Sequence, residues 1–208
     1  MMRYLPLLAA GLALAGCASP PVHYHTLLAP AMGSAAAPAA RFDIDVLPVG
    51  IPAQLDQEQL VVRDGASGLV VQDGERWSGP YADEIRNALA VQLAGSLQAR
   101  DVTGLGGSAQ PVLRIQVQVR RFDAWVGDKV QFEGTWRLNF AGADAKARLL
   151  CSSRFNLPAR GGYPELVQAQ QAVLGRLAAE IAQTARAWDG TATAACANAP
   201  ATGISAQP

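Results

Sequence analysis

Residues 112–140, VLRIQVQVRRFDAWVGDKVQFEGTWRLNF, decide the fold of this chain. Apolar and polar residues alternate in both halves of this stretch, which is the period-2 pattern of strands that bury one face. The apolar positions are Leu113, Ile115, Val117 and Val119 in the first half, and Val130, Phe132, Trp136, Leu138 and Phe140 in the second. Gly127 and Asp128 lie between the halves, so we predict two long antiparallel strands joined by a turn.

Shorter strands are predicted on both sides of this pair. The segment after the turn at 142–144 extends the meander by a third strand, with one face in water and one face in the core. Two apolar runs around Asp64 and Gly65 are typical of a hairpin. The predicted ranges of these shorter strands are 23–28, 42–46, 59–63, 68–73 and 147–155.

Two amphipathic helices complete the predicted domain. The first begins near Pro80, whose missing N–H costs nothing at a helix start, and its apolar stripe recurs every four residues. That stripe consists of Tyr81, Ile85, Leu89, Leu93 and Leu97. The second helix runs from about residue 163 to Trp188. We therefore predict a mixed α/β fold in which a largely antiparallel sheet packs with two long amphipathic helices in a single layered domain.

The N-terminus has the parts of a secretory signal. Residues 1–16 contain Arg3, a short apolar segment and the small residues Ala15 and Gly16 before Cys17. This Leu-Ala-Gly-Cys box resembles a bacterial lipoprotein signal, which implies lipid attachment at Cys17. Ala18 stands where an aspartate would resemble the inner-membrane retention signal, so we expect anchoring at the periplasmic face of the outer membrane.

The remaining boundaries follow from composition. Residues 17–22 are predicted to be a tether, and 23–188 the folded domain, within which 29–40 is a flexible loop rich in small residues and proline. Residues 189–208 are rich in Ala, Thr and Pro, and we expect them to be disordered. The chain carries 17 basic and 17 acidic residues, so it has no basic footprint for nucleic acid.

Two cysteines remain after Cys17. In an oxidising periplasm Cys151 and Cys196 are candidates for a disulfide bond that ties the C-terminal tail to the domain. The alternative is a buried Cys151 and a free Cys196, because pairing depends on a geometry that the sequence does not give.

Three stretches resemble a known family in the order in which they occur. They are YHTL at 24–27, PVGIPAQLDQEQLVVRDG at 48–65 and ERWSGPYADEIRNALAVQL at 75–93. Together they resemble the ABC-type transport auxiliary lipoprotein family. The resemblance implies a lipoprotein partner of a mammalian-cell-entry type transport system, which moves lipids between the inner and outer membranes, and it leaves self-association open. Ala53 departs from this pattern, because many relatives have a tyrosine there.

A lipid-anchored domain in such a system needs an adhesive surface. The candidate partner-binding residues are Leu55, Leu60, Val62, Arg76 and Trp77, and Trp and Arg are common binding hot spots. The alternative for Trp77 is a place in the core above the helix start, with Arg76 paired to a carboxylate such as Asp56.

Other function classes find less support in the sequence. A lipid-carrying module would need the helix stripes to line a cavity, and an anchored hydrolase would need a nucleophile, a base and an acid together. His23 and His25 are the only histidines, no Gly-x-Ser-x-Gly elbow is present, and the glycines at 104–107 follow a helix rather than a strand. We therefore expect no catalytic site, no metal site and no cofactor.

Overall fold

The computed structural model describes residues 21–29, 38–105, 107–142, 148–188 and 196–197. The predicted signal peptide, Cys17, most of the tether, most of the 29–40 loop and nearly all of the C-terminal tail lie outside the described residues. No helix in the described part is both long enough and apolar enough to span a membrane.

The element order confirms the predicted α/β class. The strands are β1 (His23–His25), β2 (Asp43–Val46), β3 (Gln59–Asp64), β4 (Gly68–Trp77), β5 (Val112–Trp125), β6 (Lys129–Phe140) and β7 (Arg148–Pro158), and the helices are α1 (Tyr81–Leu97) and α2 (Tyr163–Ala187). A single 3-10 turn, Ala53–Leu55, precedes β3.

The strands form two sheets instead of one. The larger sheet has the order β2-β5-β6-β7, and the smaller has the order β1-β4-β3. β5, β6 and β7 form the predicted antiparallel meander, and β3 and β4 form the predicted hairpin. β1 pairs in parallel with β4, and β2 pairs in parallel with β5. Parallel pairing requires a long connection between the two strands, and both pairs have one.

A bulge lets β5 run further than its alternation predicts. The buried apolar positions are odd-numbered from Leu113 to Val119 and become even-numbered at Phe122 and Ala124. The register shifts between Val119 and Arg121, so one extra residue moves the rest of the strand to the other parity. The core face is thereby continuous to the end of the strand.

Both helices cover the inner face of the larger sheet. α1 contacts β2 and α2, and α2 contacts β6 and β7. The apolar stripe of α1 is buried, as are the inward residues of α2, including Leu166, Val173 and Leu174. Trp188, directly after α2, stacks on Phe140 with a ring-centroid distance of 5.6 Å, which closes the core at that end.

Candidate interaction surfaces

The segment that was predicted to bind a partner is largely inside the molecule. Leu55, Leu60 and Val62 are at most 7% exposed. Leu60 and Val62 point inward because β3 packs on β5, where Arg63 forms an ion pair with Asp123 at 3.0 Å. These three side chains are therefore core residues, and an adhesive role for them does not fit the structure.

Trp77 is also buried, which corresponds to the core alternative. Its ring stacks on Tyr81 with a centroid distance of 4.8 Å, and Tyr81 in turn contacts Phe122. Burial raises the pKa of the Tyr81 hydroxyl well above its usual value. Trp77 thus packs between the start of α1 and the larger sheet, and its ring is not accessible to a partner.

Arg76 is the one predicted contact residue that stays at the surface. Its side chain is about a third exposed, and Nη1 lies 3.7 Å from the Glu58 carboxylate rather than beside Asp56. Ala53 is exposed in the 3-10 turn nearby. A partner contact at Arg76 stays a prediction.

The structure pairs Cys151 with Cys196. The Cα atoms of the two residues are 5.8 Å apart, and the Ala197 N–H donates a hydrogen bond to the Thr184 hydroxyl at 3.1 Å. The chain therefore returns from α2 to β7, so the bridge fixes a point of the C-terminal tail against both elements.

The two histidines share a partner on the neighbouring strand. His25 Nε2 lies 2.5 Å from one oxygen of Glu75, and His23 Nδ1 lies 3.2 Å from the other. Both rings reach one carboxylate because residues two apart on a strand face the same side. No cluster of three or more potential ligands with metal-binding geometry occurs in the described ranges.

Glu84 forms a junction that the sequence did not reveal. Its carboxylate accepts hydrogen bonds from the Thr26 hydroxyl, the Leu27 N–H and the Ser78 hydroxyl at 2.6–2.8 Å, and the residue is 7% exposed. By sequence position alone, an acid at a helix start indicates only a favourable interaction with the helix dipole. In the structure it holds the segment after β1 on the start of α1.

The outer face of the larger sheet carries a surplus of arginine. Cross-strand partners place the arginines on one open face, which we call the arginine face: Arg114, Arg121, Arg137, Arg148 and Arg154. The carboxylates of Asp45, Asp123 and Glu133 lie within 4.0 Å of three of them. Arg137 and Arg148 have no carboxylate partner within 4.0 Å among the described residues, so this surface has an unbalanced positive charge.

A shallow groove opens on the arginine face. It has a volume of about 210 Å³ and is lined by Gln116, Gln118, Thr135, Trp136, Arg137 and Leu150. Arg137 donates from Nη2 to Gln116, while its buried Nε has no hydrogen-bond partner in the described protein. Leu150 lies opposite Arg137 and is 68% exposed, so the groove combines an apolar contact with an unused guanidinium donor.

The sequence analysis did not identify the arginine face, although the arginines that form it are visible in the strand pattern. The arginines occupy the polar positions of the alternating strands, and we interpreted these positions only as the wet side of a sheet. Register was needed to show that arginines from three strands converge around Leu150.

In the described part of the chain, the apolar stripes of the two helices are packed against neighbouring elements. An enclosed space beside Tyr81, Phe122 and Gln170 has a volume of only about 10 Å³, which is room for roughly one water molecule. The apolar stripes of α1 and α2 pack against the sheet and against each other. They therefore do not line a cavity that could hold a lipid.

Comparisons with known proteins identify the family of this chain. Residues 25–182 match the profile of the family described as ABC-type transport auxiliary lipoprotein component. A relative named intermembrane transport lipoprotein PqiC occurs in Escherichia coli K12 and in Shigella flexneri, and each copy is 28% identical over 187 residues, covering 88% of this chain and 97% of the relative.

Solved structures support the fold. A crystal structure of an uncharacterized protein superposes with a TM-score of 0.62 at 22% identity, covering 79% of this chain and 98% of the other. A Xanthomonas campestris protein gives a TM-score of 0.59 at 14% identity, covering 76% of this chain and 92% of the other. At these identities the likeness is one of architecture.

Proposed function

Because this chain belongs to the family of ABC-type transport auxiliary lipoprotein components, we propose that it is a lipid-anchored periplasmic lipoprotein of an intermembrane lipid transport system. Its anchor is a lipid on Cys17 in the outer membrane, and its partner is the periplasmic channel protein of mammalian-cell-entry type. The family match over residues 25–182 is the observation that carries this proposal. The relative named for intermembrane transport supports it.

The position of the folded domain supports the anchor. β1 begins at His23, only six residues after Cys17, so a lipid at Cys17 keeps the domain against the membrane surface. A single acyl chain binds membranes reversibly, whereas the two or three chains of a bacterial lipoprotein give lasting attachment.

The role we propose is binding rather than catalysis. The family is one of transport auxiliary lipoproteins and not a class of enzymes. Both histidines contact Glu75, and no serine or cysteine in the described ranges forms a hydrogen bond with either ring. What the described surface does offer is the arginine face, with Leu150 and Arg137 at its groove.

We propose the arginine face as the surface that binds the channel protein. Arginine forms bidentate, charge-assisted hydrogen bonds with carboxylates and is enriched among interface hot spots. The exposed Leu150 beside Arg137 adds apolar area that a partner can bury. The unpaired charge of Arg137 and Arg148 predicts that the partner presents an acidic surface here.

Co-purification from detergent-solubilised envelopes tests this assignment. We expect the parent chain to capture the channel protein, and the Arg137→Glu, Arg148→Glu double variant to lose at least tenfold of that capture, since charge reversal at a buried contact costs several kcal/mol. Raised salt should weaken capture by the parent.

A matched charge reversal provides the control. Arg176 is exposed on α2, which packs on the opposite face of the sheet, so Arg176→Glu should capture the channel protein as the parent does. Equal losses in both variants, or full capture by the double variant, would rule out the arginine face as the contact surface.

A further inference from the structure

Two neighbouring turns carry exposed apolar side chains at one end of the molecule. The turn between β3 and β4 is followed by Leu69, Val70 and Val71, and the turn between β5 and β6 contains Val126; these four side chains are between 40 and 44% exposed. We call this set, together with the neighbouring tryptophan, the apolar tip: Leu69, Val70, Val71, Trp125 and Val126.

A hydrogen bond holds the two turns side by side. Trp125 donates from Nε1 to the Gly65 carbonyl oxygen at 3.1 Å. Lys129 lies over the Trp125 ring at 5.0 Å from its centroid. The apolar tip is therefore one surface built from both sheets rather than two unrelated loops.

The exposure of the tip is unusual for a strand with one buried face. Consecutive strand residues point to opposite sides, so three consecutive exposed apolar residues mean that neither side of β4 is covered there. Within the described residues β1 pairs with β4 at Glu75–Trp77, and Gly68–Gln72 have β3 alone as a strand neighbour. Runs of exposed apolar residues of this kind mark interaction sites.

The direction of the N-terminal chain indicates on which side of the molecule the lipid anchor lies. β1 runs parallel to β4, with His23 opposite Glu75, so the chain before His23 comes from the side of the molecule where β4 begins. The Pro21 carbonyl oxygen already lies beside Gly74. Cys17 is four residues before Pro21, and four residues reach at most about 14 Å.

That reach allows the Cys17 lipid to lie on the same side of the molecule as the apolar tip. Leu69 is six residues from Glu75 along β4, a distance of roughly 20 Å, and the tether is long enough to cover most of it. The direction of the described chain before His23 thus favours entry of the acyl chains into the bilayer on the side where the tip is exposed.

The charges of the tip favour lipid over a charged partner. The two turn segments, 63–73 and 125–129, contain two basic and three acidic residues: Arg63, Lys129, Asp64, Asp73 and Asp128. Such a balance gives no attraction to anionic headgroups, whereas a tryptophan flanked by aliphatic side chains suits the boundary between headgroups and acyl chains. We propose that the apolar tip lies in the interface of the bilayer that holds the Cys17 lipid; this inference rests on the anchor proposed above.

Tryptophan fluorescence can test this inference directly. The chain has four tryptophans, and Trp77, Trp136 and Trp188 are at most 4% exposed, so a quencher in the membrane reaches Trp125 first. The lipidated protein is reconstituted into phosphatidylcholine vesicles with or without brominated acyl chains. We expect lower emission in the brominated vesicles, and loss of that difference in Trp125→Phe.

A tip variant separates membrane contact from anchoring. Leu69→Ser, Val70→Ser, Val126→Ser should still float with the vesicles through its lipid but lose the quenching by brominated chains. Leu105→Ser removes a leucine that is 68% exposed in the loop before β5, away from the β5–β6 turn, and should be quenched like the parent. Circular dichroism and thermal unfolding check that each variant is folded.

Each contrary outcome has its own meaning. Equal emission of the parent in both kinds of vesicle overturns the inference. If the parent is also oligomeric in solution and the tip variant is monomeric, the tip contacts a second copy instead of lipid. If the parent does not float, the anchor fails, and the measurement is repeated on mature protein coupled through the Cys17 thiol to a maleimide lipid, where unquenched emission again refutes the tip assignment.

Discussion

Two carboxylates show how single residues position the start of the domain. Glu84 binds Thr26, Leu27 and Ser78, so it joins the segment after β1 to the start of α1. Asp43 accepts hydrogen bonds from Ser108 and Arg100, which hold the pKa of its carboxyl below the usual value. Both acids are buried. Each contacts residues more than 50 positions away in the sequence, and Glu84 also binds the nearby Ser78.

Replacing Glu84 tests the first of these junctions. Glu84→Ala leaves the Leu27 N–H without its partner in the protein interior, and we expect a loss of about 2–4 kcal/mol in the free energy of unfolding, measured by urea denaturation. Asp83→Ala is the matched control, because the Asp83 side chain is 55% exposed and forms only an i,i+3 pair with Arg86; it should cost less than about 1 kcal/mol. A similar cost in both variants would contradict the role given to Glu84.

At the scale of elements, local patterns predict strands and helices but not their neighbours. The alternation in 112–140 predicts the β5–β6 hairpin, and the four-residue repeat predicts α1 from its first residue to its last. The apolar run of β3 predicts a strand, yet whether Leu60 and Val62 face a partner or the core depends on β5, about 60 residues away. The same long-range packing buries Trp77, so the predicted binding set is reduced to Arg76.

The division into two sheets has a similar cause. β1 and β2 each contain only three or four residues, and their parallel pairings join segments separated by about 50 or 70 residues in sequence. No local sequence pattern specifies such partners. Closing loops of this length costs conformational entropy, and the packing of the whole core has to compensate for it.

The disulfide between Cys151 and Cys196 joins the C-terminal tail to β7. It closes a loop of 45 residues, and cross-links of this kind stabilise by about 2–4 kcal/mol. We expect the Cys151→Ser, Cys196→Ser variant to unfold at a Tm lower by roughly 5–15 °C in differential scanning calorimetry.

Reductant supplies the control for this prediction. Dithiothreitol should lower the Tm of the parent towards that of the variant and leave the variant unchanged. A parent whose Tm does not respond to reductant would show that the bridge does not form in solution.

At the scale of the whole molecule, the proposed contacts lie at opposite ends of one sheet. The β5–β6 turn is at the apolar tip, and Arg137 lies eight residues along β6 from Lys129, a distance of roughly 26 Å. The strands therefore connect the side proposed to meet the membrane with the groove proposed to meet the channel protein. A rigid sheet is suited to this role, because it holds both surfaces at a fixed distance.

The central claim is that a lipid on Cys17 attaches this domain to the outer membrane. Density-gradient fractionation of cell envelopes, comparing the parent with Cys17→Ala behind a cleavable secretory signal, tests it most directly. We predict that the parent sediments with outer-membrane markers and that the variant appears in the soluble periplasmic fraction. A variant that stays with the outer membrane as fully as the parent would contradict the account.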